Sequence, residues 1–320
     1  MARSVSMILS IATIVLFVGS GFAQKPAAKP DQTPAQPQRR PDDPQKIGVL
    51  EVRLPISAKQ DKKFVTGLSA NNFEVYEDGK LQKIEKFIAP SDLPLWIGML
   101  IDTSNSVKLK LPFEKEAGED FVATVTTYRK KDKILLASFD SDVELHQDFT
   151  DNQQLLIHAL RILKAGGYTK LYDGVYRLIE EKMATTQGAD ARRIITILSD
   201  GEDTASEHTL RDAIEIAQRY DVTIFGISTK NFKGVDSGMV ENADDKELRR
   251  LCEETGGQVV LPSQKAELFR AFTQIAQDLR QEYVLFYTPT NQAKAGKKRE
   301  IKVKLVAADG RLYHKHGYVY

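Results

Sequence analysis

The sequence predicts an α/β protein: a doubly wound, mostly parallel sheet, flanked by a small β-sandwich built from the N- and C-terminal strands. Three observations predict it. Residues 95–101 are an uninterrupted apolar run and residues 194–198 an apolar run broken only by Thr196, as strands covered on both faces require. Such runs alternate with amphipathic helical patterns, the arrangement that gives a parallel sheet with helices on both sides. At either end the pattern changes to period two: Leu50, Val52 and Leu54 alternate with charges near the start, and Ile301, Val303 and Leu305 with lysines near the end. A length of 320 residues with 42% hydrophobic content leaves room for two domains.

The elements follow in order. Arg3, a mostly apolar stretch over residues 7–18 and the small residues of Gly21-Phe22-Ala23 predict a signal peptide over 1–23. Its apolar run is too short to span a bilayer comfortably, so no membrane span is expected after its removal. Residues 24–46, rich in Pro, Ala, Gln and charge, predict a disordered linker. An N-terminal β unit is expected over 47–92, with Asp78-Gly79 as a tight hairpin turn. The α/β domain is expected over 93–283. Its first helix follows Phe113, Ala117, Phe121, Val125 and Tyr128, and its last follows Leu268, Ala271, Phe272, Ile275 and Leu279. Residues 284–320 predict further β structure, with Asp309-Gly310 as a second hairpin turn and 312–320 as one last strand packing with the N-terminal unit. Neither β piece is large enough to fold alone.

Composition narrows the function classes. Without Arg3 the acidic and basic residues balance, so no global field attracts nucleic acid, and none is expected as a partner. The basic cluster Lys294, Lys297, Lys298 and Arg299 lacks interleaved aromatics and reads as a solvated loop. The lone Cys252 falls in a helical pattern and reads as a small buried side chain. No phosphate-binding glycine loop or nucleophile elbow is present, and the five histidines form no helical metal pair.

The chemistry concentrates where the strands end. The run over 96–101 stops at Asp102-Thr103-Ser104-Asn105-Ser106, one carboxylate and two hydroxyls at alternate positions. Thr169 follows the glycine break Gly166-Gly167, and Asp200-Gly201 ends the strand over 193–198. At the carboxyl ends of parallel strands these side chains share one edge of the sheet, where open α/β sheets place their ligands. All are hard oxygen donors, suited to Mg²⁺, with Mn²⁺ or Ca²⁺ as alternatives. Two carboxylates and neutral hydroxyls leave such a cation with waters and an open position that an acidic group can fill.

These motifs, in this order, resemble a von Willebrand factor type A domain with its metal-ion-dependent adhesion site. The likeness covers roughly 95–282 and implies a Rossmann-like fold. It implies Ser104, Ser106 and Thr169 as direct or switchable ligands, with Asp102 and Asp200 acting directly or through water. Asn72-Phe73-Glu74-Val75-Tyr76-Glu77-Asp78-Gly79-Lys80 and Lys315-His316-Gly317-Tyr318 further resemble segments of an exported bacterial group of such proteins. Asn105 stands where the motif often carries Gly; Asn tolerates left-handed backbone. The expectation is a non-enzymatic, secreted, periplasmic or cell-envelope adhesion module that grips an acidic group of a protein or other partner through the cation. Two alternatives stay open: an Mg²⁺-dependent hydrolase using the same site, and a structural envelope protein with a stabilising metal.

Overall fold

A computed structural model describes residues 51–61, 63–89, 93–128, 131–186, 191–230, 243–290, 296–306 and 308–319. The expected signal peptide and linker lie outside the described residues. Five strands come first: β1 (Val52–Gln60), β2 (Lys63–Phe64), β3 (Phe73–Glu77), β4 (Lys80–Gln82) and β5 (Lys86–Ile88). The α/β part then runs β6 (Leu95–Asp102), α1 (Leu111–Tyr128), β7 (Lys133–Phe139), β8 (Val143–Thr150), α2 (Gln153–Ile162), α3 (Leu171–Leu178) and β9 (Arg192–Ser199). It continues through α4 (Leu210–Arg219), β10 (Val222–Ser228), α5 (Ala243–Glu254), β11 (Val259–Val260) and α6 (Lys265–Asp278). Four strands close the chain: β12 (Tyr283–Tyr287), β13 (Lys298–Leu305), β14 (Arg311–His314) and β15 (Gly317–Val319).

The central sheet has the order β11-β10-β9-β6-β7-β8, parallel except for the β8 edge. From β6 the chain steps to β7 on one side and later returns to β9 on the other. The boundary between β6 and β9 is therefore the topological switch point, the crevice where such sheets receive ligands. Ile97, Met99 and Ile101 of β6 face a core completed by α1, α2 and α6, while Leu100 faces one completed by α3, α4 and α5. Helix starts match the sequence: Asn152 caps α2, and Thr209 with Asp212 forms a capping box on α4. Among the described residues no helix is long and apolar enough to cross a membrane.

The outer strands form two antiparallel sheets, β14-β1-β12-β5 with β2 joined to β1, and β15-β13-β3-β4. They close on a core that includes Leu54, Ile56, Phe73, Val75, Tyr283, Leu285 and Ile301. Both sheets combine N- and C-terminal strands, joined at β1 with β12 and β14 in one and at β3 with β13 in the other, so each end needs the other. The Asp78-Gly79 turn has both residues at positive φ, 47° and 79°, as a two-residue hairpin demands. The second expected hairpin does not form. β13 pairs with β3 and β15, while β14 pairs with β1, so Asp309-Gly310 lies on a crossing between sheets. The expected single last strand likewise divides at Lys315-His316, where the His316 N–H donates to Glu254 O at 3.1 Å and the chain changes sheets.

One member of the expected solvated basic cluster is buried instead. Arg299 donates to Glu77 from Nε and Nη2 at 2.9 and 2.5 Å and pairs with Asp78 at 2.8 Å. The Tyr287 and Tyr318 hydroxyls donate to the other Glu77 oxygen at 2.8 and 3.0 Å. Lys297 and Lys298 are exposed, and Lys294 lies outside the described residues. Because Glu77 is fully buried, its removal strands a guanidinium and two hydroxyls. Glu77→Ala is expected to lose about 3–5 kcal/mol of unfolding free energy by denaturant titration; a loss under about 1 kcal/mol contradicts this account of the sandwich.

Candidate metal centre

Asp102 is the last residue of β6 and is fully buried. Its Oδ1 accepts from the Ser104 backbone N–H at 2.8 Å and its Oδ2 from the Ser199 hydroxyl at 2.7 Å. The second bond follows from register: Ile101 lies opposite Leu198, so Ser199 comes next to Asp102 across the switch point. Burial, reinforced by the nearby Asp200 carboxylate, pushes the Asp102 carboxyl up to about 6, against the opposing pull of its hydrogen bonds. Ser104 is buried and Ser106 exposed, yet their hydroxyl oxygens are 2.8 Å apart. Asp200, 5% exposed, follows β9 directly, and Gly201 turns the chain away at φ 81°.

Backbone bonds lace the three loops together. Gly166 N–H donates to Thr103 O at 2.7 Å and Asn105 N–H to Gly167 O at 3.3 Å, joining the Asp102 loop to the glycine break. Thr204 N–H donates to Thr169 O at 2.9 Å and Thr169 N–H to the Thr204 hydroxyl at 3.1 Å, joining that break to the loop after Asp200. Gly167 makes the first junction feasible. It sits at φ 79°, and a Cβ there would lie 2.5 Å from the Ser141 hydroxyl. Thr169 is 4% exposed and does not cap α3, whose N-cap position is Lys170. Asp102, Ser104, Ser106, Thr169 and Asp200 thus stand on loops held at one edge of the sheet.

Several residues beyond the expected set shape this edge. Asp173 accepts from the backbone N–H groups of Glu207 and His208 and from His208 Nδ1 at 2.7 Å, fastening the loop after Asp200 onto α3. Those hydrogen bonds hold the Asp173 carboxyl below its ordinary range despite its burial. Glu202 and Asp203, in the loop after Asp200, are both engaged: Glu202 meets Lys230 at 3.0 Å, and Asp203 accepts from Tyr172 N–H and from Ser206. Glu114, in the first turn of α1, is 1% exposed, and neither of its carboxylate oxygens has a hydrogen-bond partner in the protein. Burial, with the charge of Asp102 next in weight, drives its pKa well above the ordinary carboxylate value. Thr229, just past β10, is fully buried and its hydroxyl is equally unpartnered.

The donor chemistry suits a hard cation. Two carboxylates and three hydroxyls stand at this edge; one of the carboxylates, Asp102, is held by hydrogen bonds yet disfavours its own charge, and a divalent ion would supply the counter-charge it lacks. Among the described residues no group of three or more His, Cys, Asp or Glu is placed to hold a metal, so hydroxyl donors are essential to any such centre.

A family model of the von Willebrand factor type A domain matches residues 97–278. The chain belongs to this family. Type A domains typically mediate adhesion between proteins and commonly bind a divalent metal. The chain is 27% identical to mouse (Mus musculus) integrin alpha-M over 193 residues, which span 58% of this chain but only 16% of that protein. Among solved structures, the chain resembles a von Willebrand factor type A protein from Catenulispora acidiphila at 13% identity, with a TM-score of 0.49 and coverage of 83% of this chain and 72% of that one. It also resembles proximal thread matrix protein 1 from the mussel byssus, solved with a zinc-occupied MIDAS motif, at 16% identity and a TM-score of 0.47, covering 60% of this chain and 49% of that one.

Asp102 gives the edge a measurable pH signature. Its raised folded pKa means that its contribution to stability is full below about 3.8 and is lost as pH rises through about 6. Asp102→Asn mimics the protonated form. In chelator the variant is expected to exceed wild type at pH 7 by about 3 kcal/mol, the equivalent of roughly two pKa units, and to match it near pH 4. Thermal melts across that range check this, and a difference that does not change with pH contradicts it.

Proposed function

We propose that this type A domain is an exported, non-enzymatic adhesion module that grips an acidic group of a protein partner through a divalent cation. Asp102, Ser104, Ser106, Thr169 and Asp200 hold the ion, with Mg²⁺ as the natural occupant and Mn²⁺ or Ca²⁺ as substitutes. What supports this reading most is the lacing of the Asp102, Thr169 and Asp200 loops at the switch point, around a carboxylate that burial makes reluctant to ionise. Neutral hydroxyls donate weakly, so the ion keeps exchangeable waters, and a partner carboxylate replaces one of them. The exposed Ser106 lies on the open side of the centre, where a partner can approach.

The rim fits a protein partner. Leu109 and Tyr168, each adjoining one of the ligand loops, are 68% and 72% exposed. Aromatic and aliphatic side chains around a charged centre exclude water from a polar contact and raise its worth. Export is supported by the N-terminal pattern of residues 1–23.

The test is capture of partners from an envelope extract by the immobilised protein. Asp102→Ala is expected to abolish both cation binding by calorimetry and partner capture, and excess chelator is expected to release captured partners. Capture that persists undiminished in chelator contradicts the proposal.

A further inference from the structure

The described part of the molecule contains one buried acid that neither the fold nor the ligand set accounts for. Glu114 heads the inward stripe of α1, followed by Ala117, Phe121 and Val125, all fully buried. A carboxylate at the top of an apolar stripe needs a partner, and its two oxygens find none in the protein. Its surroundings point to the cation centre. Asp102 and Asp200 both act on it electrostatically, and the Thr229 hydroxyl lies close enough to favour its charged form, although the pair falls short of hydrogen-bond geometry. Thr229 is itself fixed beside Asp200, since its N–H donates to Ser199 O at 2.9 Å.

We infer that Glu114 and Thr229 form a second layer of the cation centre, receiving hydrogen bonds from waters that the bound ion carries. The inference rests on the cation reading above and deepens it. A second layer fits better than direct ligation, because Glu114, Asp102 and Asp200 do not form a group placed to hold a metal by themselves. Hard divalent ions dehydrate reluctantly and keep several waters. Each bound water points its hydrogens away from the ion and requires acceptors. An ionised carboxylate is an acceptor alone, with room for such donors on both oxygens. Outer acceptors of this kind orient the inner ligands and tune affinity. Glu114 is thus a positioning residue: it acts on the ion through water.

The experiment is calorimetric titration of Mn²⁺ and Mg²⁺ into full-length wild type, Glu114→Gln and Thr229→Val, with the Tm of each measured in chelator. Glu114→Gln is expected to weaken Mn²⁺ binding by about tenfold or more, while its Tm in chelator equals or exceeds that of wild type, since an unpartnered buried acid is gone. Thr229→Val is expected to weaken binding in the same direction by less. Unchanged affinity in Glu114→Gln overturns the inference and leaves the cation reading standing. A fall in both affinity and chelator Tm marks a packing role and also overturns it. A wild type that binds neither ion fails the cation reading itself, and this inference with it.

Discussion

The structure turns on a carboxylate buried without a cationic neighbour to neutralise it. Asp102 ends the central strand, is shielded completely, and is held by a backbone N–H and a serine hydroxyl. In water a carboxylate pays no such desolvation; here burial raises its pKa to about 6. The fold accepts that cost at one place, the crevice where β6 and β9 part. Asp200 is brought to the same edge because β9 returns to the far side of β6. The need for a counter-charge and the topology of a doubly wound sheet therefore meet at one point. Ser199, Ser104 and the laced loops fix where such a counter-charge would sit.

The sandwich holds this arrangement from outside. β1 pairs with β12 and β14, and β3 pairs with β13, so the strands before and after the α/β part depend on each other. The Glu77–Arg299 pair ties the two ends through a buried, fully hydrogen-bonded contact. Arg192 binds the carbonyls of Leu279 and Glu282, and Lys59 pairs with Asp278. Together these contacts anchor the chain just after α6 to both the central sheet and β1. Such buried ionic contacts add little net stability, but they penalise alternative arrangements that would leave a charge unpaired.

Much of this was legible in the sequence, for physical reasons. The apolar run of β6 is unbroken, and that of β9 is broken only by the buried Thr196, because both faces are covered. Asp78-Gly79 forms its hairpin because the turn demands positive φ at both residues. Asp309-Gly310 carries the same signature without a hairpin: tertiary pairing drew β14 to β1, and Gly310 is nearly extended at φ 158°. Arg299 was hidden because a basic run looks solvated until the register of β13 turns one member inward. Ser199 became visible only with the register of β6 against β9. Glu114 was readable in principle, since its spacing to Ala117, Phe121 and Val125 is helical. Phe113, assigned instead to that face, is 40% exposed. A glutamate in a first helical turn ordinarily reads as a surface charge answering the helix dipole.

The most direct measurement of the central claim is a crystal structure of the protein grown with Mn²⁺, with anomalous diffraction locating the ion. The account predicts one strong anomalous peak at the carboxyl ends of β6 and β9, contacted by Ser104, Ser106 and Thr169 hydroxyls with Asp102 and Asp200 beside it. A crystal that shows no peak there, at a Mn²⁺ concentration that saturates binding in solution, contradicts it.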